Sequence, residues 1–352
     1  MREAGFYAKL DGGDAQCALC AHRCLIKPGK RGLCGVRENR EGTLFSLVYG
    51  RLVSASVDPI EKKPLYHYLP GTTSYSIATM GCNFRCLFCQ NYSISQPPRE
   101  SGEIAGRETA PEEVVAEAKR AGCASISYTY VEPTIFLEYA LDVAALARGR
   151  GLGNVFVSNG YMTGEAVSAL APVLDAANVD LKAFRDKFYR DNCGAKLAPV
   201  LDTLAALKRL GVWLEVTTLI IAGLNDDPGE LAELAAFLVS LGAQTPWHVS
   251  AFHPAYRMTD RPPTPASAVL AARDIGLAAG LHHVYVGNVR GAGGENTACR
   301  GCGATLIERA GYEIRKTGLT GLTGTACAVC GEAMDGRFAA GPGGRPPKGE
   351  RP

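Results

Sequence analysis

The 352-residue chain carries almost no net charge, with 37 Lys and Arg against 35 Asp and Glu. Its basic residues are spread along the whole sequence, so no block is set up to track phosphates, and nucleic acid is a poor fit as ligand. No apolar run is long enough to span a bilayer, and the opening MREAGFYAKLD lacks the apolar core of a signal peptide. These absences predict a soluble, cytoplasmic protein. A hydrophobic content of 47% allows a substantial core, in one large domain with small attachments. Cysteine is plentiful by contrast: thirteen in all. In a reducing cytosol such a number points to metal or redox chemistry rather than to a disulfide scaffold.

The cysteines fall into separate groups. Cys17, Cys20, Cys24 and Cys34 lie near the N-terminus, Cys82, Cys86 and Cys89 follow, Cys123 and Cys193 stand alone, and Cys299, Cys302, Cys327 and Cys330 come near the C-terminus. The last group is two Cys-x-x-Cys pairs, each followed by glycine, a spacing that suits tetrahedral thiolate ligation. With short strands at Leu306-Ile307-Glu308 and Tyr312-Glu313-Ile314 it reads as a zinc-ribbon-like module, a rubredoxin-like iron site being the alternative. The first group, CALCAHRC and then GKRGLC, also offers four thiolates. Gly29 and Gly32 permit the sharp return that brings Cys34 back to the others. Zinc and an auxiliary iron–sulfur cluster both suit four thiolates, so both stay open here. His22 is read as a loop residue facing solvent, with a ligand role as the alternative.

Between these groups the sequence alternates. Leu44–Tyr49 and Leu52–Val57, separated by Gly50-Arg51, read as a hairpin. Strand-like runs follow at Tyr75–Met80, Ala124–Tyr128, Asn154–Ser158, Ala177–Leu181, Val212–Leu219, Trp247–Ala251 and His283–Val286. Helical patterns occupy Pro111–Ala121, Pro133–Arg148, Pro199–Leu210, Gly229–Leu241 and Pro265–Ala279, several of them beginning at proline. Alternating β and α predicts an α/β fold with a parallel sheet, and the number of units favours a partial or complete (β/α) barrel. The expected organisation is a four-Cys module at 1–40, a hairpin and linker at 41–70, the barrel at 71–290, a zinc-ribbon-like module at 291–335, and a disordered Gly- and Pro-rich tail at 336–352. Polar residues gather where the strands end: Glu132, Ser158-Asn159-Gly160, Asp180 and Lys182, Asn225-Asp226, and His253. Parallel α/β folds bind ligands at that end.

CNFRCLFCQ, residues 82–90, places three cysteines directly after the first of these strands. Three thiolates hold three irons of a [4Fe–4S] cube and leave the fourth open to an exogenous ligand; the alternative is that Cys193, which follows the fourth strand, completes an ordinary four-ligand site. With Phe88 in the aromatic position before the last cysteine, the stretch resembles the Cys-x3-Cys-x2-Cys motif of the radical SAM superfamily. Within it the chain resembles the branch related to pyruvate formate-lyase activating enzymes. More closely still, it is similar to the AmmeMemoRadiSam system radical SAM enzymes, through CALCAHRC…GLCGVREN, YTYVEPT, VSNGY, DLKAF, YVGNV and ENTACRGCG, over roughly residues 15–335.

The resemblance implies a [4Fe–4S] cluster on Cys82, Cys86 and Cys89 that cleaves S-adenosylmethionine (SAM) reductively. A 5′-deoxyadenosyl radical then takes a hydrogen atom from a substrate. It places Phe88 near the adenine, Ser158 and Asn159 near the methionyl or ribose part, Lys182 at the cofactor carboxylate with Asp180 orienting it, and His253 near the cofactor. The superfamily commonly carries Gly-Gly-Glu after the second strand; YTYVEPT departs from it, leaving Glu132 as the acidic residue without the glycines. Cys193 is a candidate substrate-side thiol or hydrogen-atom donor, with a buried inert cysteine as the alternative. A flavodoxin or ferredoxin is the expected reductant, and Memo-like and AMMECR-like proteins are the partners the resemblance suggests. The substrate, protein or small molecule, is not named by any residue. Two further readings stand beside this one: a glycyl-radical enzyme activase, and a non-enzymatic metal-binding interaction protein.

Overall fold

In the computed structural model, which describes residues 1–289, 291, 293–320 and 325–338, one eight-stranded sheet carries the other elements. Its strands are β1 (Ser54–Pro59), β2 (Thr73–Ala78), β3 (Ser125–Tyr128), β4 (Gly153–Ser158), β5 (Ala176–Asp180), β6 (Trp213–Ile220), β7 (Trp247–Ala251) and β8 (Val284–Gly287). They lie side by side in chain order. β2 to β8 pair in parallel and β1 runs antiparallel to β2 at the edge. Among the described residues β8 does not pair with β1, so the sheet is a partial barrel, open between its first and last strands.

Every parallel crossover carries a helix: α1 (Pro111–Arg120), α2 (Leu137–Gly149), α3 (Gly164–Leu170), α4 (Ala198–Arg209), α5 (Pro228–Leu241) and α6 (Ala266–Ala278). The helices explain why all four residues of β3 are buried, since a parallel strand is covered on both faces. Pro111 and Pro228 stand in the first turns of α1 and α5, and Asp227 caps α5 by accepting from Glu230 N. The seven-residue α3 falls where the sequence pattern showed no helix. It is too short to display a period, and its boundary is set by Thr163, whose hydroxyl accepts from Ala166 N and donates to Ala18 O.

Two expectations are corrected. The hairpin across Gly50-Arg51 does not form: Thr43–Ser46 pairs with Arg37–Arg40 and Arg2–Glu3, while Ser54–Pro59 becomes β1 against β2. Gly50, at φ +71, turns the chain between these two sheets instead of joining two arms of one. The tail is anchored where it begins, since Arg337 donates to Asp175 O at 2.9 Å and Phe338 is buried beside the His67 ring. Residues 339–352 lie outside the described residues.

The segment 60–69 passes beneath the barrel and is held by a buried carboxylate. Glu215 on β6 accepts from the backbone N–H of Tyr66 (3.0 Å) and His67 (2.8 Å), from Trp213 Nε1 (3.0 Å), and pairs with His248 Nε2 (2.7 Å). The flanking modules relate to this body differently. Cys17, Leu19, Ile26 and Val36 of the N-terminal part belong to the main core. The C-terminal sheet of Thr297–Ala298, Thr305–Ala310 and Glu313–Thr317 has its own small core of Cys299, Leu306 and Cys327.

Helix α6 is seated on the sheet through Gly276, where a Cβ would meet the buried Trp247 ring at 2.8 Å and Val284 Cγ2 at 2.9 Å. Neither neighbour has room to move in a filled core. Gly276→Ala is expected to cost about 1–3 kcal/mol. In a thermal melt this reads as a drop on the order of 2–4 °C per kcal/mol; an unchanged melting temperature would contradict the packing described.

Candidate active site

Cys82, Cys86 and Cys89 lie in the loop that leaves β2, at the carboxyl end of the sheet. Cys82 and Cys86 are buried and Cys89 is half-buried. The loop has no regular structure of its own, so its shape comes from neighbours. Arg85 N donates to Cys193 O and Leu87 N to Asn192 O, each at 2.9 Å, tying it to the π-turn Tyr189–Cys193. Arg99 secures the other side, reaching Cys82 O (3.1 Å), Phe84 O (3.3 Å) and Leu33 O (2.7 Å). Nothing in the sequence pattern pointed to Arg99.

The residues singled out at the neighbouring strand ends come together around this loop. Glu132 is fully buried, and both its carboxylate oxygens are engaged: Oε1 with Thr134 N (3.0 Å) and Ser158 Oγ (2.8 Å), Oε2 with Asn159 N (2.6 Å). Burial pushes its pKa up while these donors pull it back down. Asn159 Nδ2 in turn donates to Cys82 Sγ at 3.5 Å. On the opposite side Lys182 Nζ pairs with Asp180 Oδ2 at 2.8 Å. Burial works against the Lys182 ammonium, but Asp180, Cys86 and Cys193 together hold its pKa well above the usual lysine value. Its backbone N–H donates to Tyr189 OH, and its carbonyl accepts from Asn225 Nδ2. Phe88 is buried against Phe188.

Two residues are placed differently from the rest. Cys193 is completely buried beneath the loop, and its neighbouring thiol together with burial pushes the Cys86 thiol well above its ordinary range. His253 is exposed at the end of β7, where Nε2 meets Asn288 O at 3.4 Å. It lines a cavity of about 910 Å³ together with Gln90 of the motif loop, His248, Glu61, Arg309 and Tyr312. The last two come from the C-terminal sheet. Glu61 and Arg309, like Arg99, carry no signal in the sequence pattern. Both are buried, and Glu61 Oε2 and Arg309 Nε have no hydrogen-bond partner. Arg309 lies 4.1 Å over the Tyr66 ring and donates to Tyr66 O at 2.9 Å, which locks the C-terminal sheet to the barrel floor.

A family model described as the radical SAM superfamily matches residues 76–238, a span that includes all three motif cysteines. An uncharacterized protein of Methanocaldococcus jannaschii is 48% identical over 336 residues, covering 95% of this chain and 99% of that relative. The chain belongs to the radical SAM superfamily. It is also similar to GTP 3′,8-cyclase of Aquifex aeolicus, 26% identical over 169 residues, which is 46% of this chain and 51% of that relative. Among solved structures, a domain of pyruvate-formate lyase-activating enzyme from Bacteroides vulgatus aligns at 16% identity over 47% of this chain and 99% of its own, with TM-score 0.42. The protein is therefore an enzyme with iron–sulfur and SAM chemistry, which sets aside the reading of a non-enzymatic interaction protein. Its donor set fits the cluster: three thiols of one loop, with an amide donor aimed at Cys82 and a buried lysine ammonium at the same end of the sheet. No described helix is long and apolar enough to cross a membrane.

The C-terminal thiols form a second candidate metal centre. The Sγ atoms of Cys299, Cys302, Cys327 and Cys330 all lie within 4.8 Å of one another, with Cys299 and Cys330 at 3.6 Å and Cys302 and Cys327 at 3.7 Å. Gly301 N and Val329 N donate to Cys299 Sγ and Cys327 Sγ, the amide support expected around bound thiolates. Cys299→Ser/Cys302→Ser is expected to remove about one metal ion per chain. It should also open residues 297–317 to proteolysis, because this small core cannot hold the sheet without the metal. Metal content and limited digestion check this, and full metal content with a protected sheet would contradict it.

Proposed function

We propose that this protein generates a 5′-deoxyadenosyl radical from SAM above Cys82, Cys86 and Cys89, and uses it to take a hydrogen atom from a polar substrate bound in the cavity walled by β7, β8 and the C-terminal sheet. When bound, the cluster supplies the electron that splits SAM. The chain's own residues hold, orient and shield. Lys182, kept cationic by Asp180 and fixed through Tyr189 and Asn225, is the counter-charge for the SAM carboxylate. Glu132 acts by holding Ser158 and Asn159, which present the polar edge of the SAM site; its own oxygens are already occupied. Phe88 supplies an apolar wall for the adenine, and His253 stands between the SAM side and the substrate cavity. Cys193 is a buried support of the loop rather than a substrate-side thiol.

The observation that carries this reading is Lys182, a buried ammonium held by Asp180 just past the end of β5, at the same end of the sheet as the motif loop. The cavity's polar lining, with Glu61, His248, His253 and Arg309 around it, supports it as the substrate's place. The C-terminal metal in this reading is zinc, the setting is cytoplasmic, and a flavodoxin- or ferredoxin-type protein is the electron donor. Memo-like and AMMECR-like partners belong to the AmmeMemoRadiSam affiliation and stand or fall with co-purification. The glycyl-radical activase reading gains no support from this geometry.

Anaerobically reconstituted protein given dithionite and SAM is expected to form 5′-deoxyadenosine, measured by mass spectrometry, and Cys82→Ala/Cys86→Ala/Cys89→Ala to form none. Lys182→Met should keep the cluster's absorbance but raise the SAM concentration for half-maximal rate roughly 10- to 100-fold, the loss of one charged hydrogen bond. An unchanged SAM requirement would remove Lys182 from the site.

A further inference from the structure

The chain holds three groups of thiols, and only one of them is drawn tightly together. In the C-terminal quartet the sulfurs lie close enough for one ion, because Zn–S bonds of about 2.3 Å in a tetrahedron put sulfurs about 3.8 Å apart. The motif triplet, which belongs to a four-iron cluster by family, is wider. Among the described residues no set of three or more metal-ligating groups other than the C-terminal quartet has all its ligand atoms within 4.8 Å. A cube gives each thiolate its own iron, so the iron–iron separations add to the span. The N-terminal quartet likewise brings no three of its sulfurs within that limit, although Cys17, Cys20, Cys24 and Cys34 all line one small cavity.

A second observation concerns what fills that cavity. Arg37 lines it and is only 1% exposed; Nη1 donates to Cys17 Sγ at 3.3 Å, Nη2 bonds Gly5 O and the Glu138 carboxylate, and Nε has no partner. A zinc ion brings no acceptor for that N–H. An iron–sulfur cluster brings inorganic sulfides, which accept hydrogen bonds. Gly32 stands close on the other side, where a Cβ would lie 3.1 Å from Ile26 Cδ1 and 3.8 Å from Cys24 Sγ.

We propose that Cys17, Cys20, Cys24 and Cys34 hold a second, four-thiolate [4Fe–4S] cluster, with Arg37 donating to its sulfur atoms. The site sits directly against the motif loop. His22, half-buried and lining the same cavity, bonds Asn83 O through Nε2 at 2.8 Å. The Cys34 carbonyl approaches Gly81 so closely that a Cβ there would be 3.2 Å away. The second cluster is therefore one loop removed from the thiolates that serve SAM.

The test uses full-length Cys82→Ala/Cys86→Ala/Cys89→Ala protein, made and reconstituted anaerobically, with iron, acid-labile sulfide and zinc counted and Mössbauer spectra recorded. About four irons and four sulfides per chain with the Mössbauer signature of a cube, alongside about one zinc, are expected. Adding Cys17→Ser/Cys20→Ser should remove the iron and leave the zinc, with circular dichroism showing that the barrel is retained. Two zinc ions and no iron in the triple variant would overturn the proposal. So would one zinc with no iron, or iron that survives the added serines.

Discussion

The sheet does not close, and most of the structure outside it is arranged around the gap between β1 and β8. An open barrel exposes the edge of its last strand and the polar interior of its floor, both of which must be covered. The C-terminal sheet and the segment leading into it meet this need from the side: Val286 N donates to Gly294 O, and Arg309 is clamped over Tyr66. The segment 60–69 meets it from below, with Glu215 taking two backbone N–H groups, an indole N–H and His248. What the covering elements leave unfilled is the cavity that reaches Gln90. The same gap that weakens the barrel thus makes its working space.

Thiolates set the second constraint. Three of them in an irregular loop repel one another and lose hydration on burial, so a bare loop would not hold them together. Here the loop is tied through backbone bonds to the Tyr189–Cys193 turn and through Arg99 to the N-terminal module. Lys182 supplies positive charge at this end of the sheet, and Asn159 a donor to Cys82. Each of these supports is itself positioned by a neighbour: Lys182 by Tyr189 and Asn225, Asn159 by Glu132. A π-turn at Tyr189–Cys193 is costly backbone, and its place under the motif loop gives it a purpose.

The two flanking modules show how packing separates similar sequences. Each offers four cysteines at short spacing. The C-terminal one keeps a core of its own and draws its sulfurs together, whereas the N-terminal one shares the main core and holds its sulfurs apart. Cysteine spacing in a sequence limits which thiols meet, but not the distance at which surrounding side chains hold them.

The alternating pattern was enough to place seven parallel strands within a few residues, with Trp247–Ala251 matched at both ends, and the three-cysteine stretch was enough to indicate the chemistry. Those features are local, set by periodicity and by adjacent donor atoms. Partner choice was not local. Leu44–Tyr49 and Leu52–Val57 look like a hairpin because strand propensity and a glycine turn say nothing about which distant strand competes. Glu132 was visible as a polar residue at a strand end, but its role follows from Ser158 and Asn159 arriving beside it. Glu61 and Arg309 gave no signal at all, because an unpaired buried polar atom exists only once segments from opposite ends of the chain have met. By itself, then, the sequence determined the strand–helix alternation, the thiol groups and the reaction class they imply. The open barrel, the cavity and the spacing of each thiol group were decided only by tertiary packing, since each depends on contacts between residues far apart in the chain.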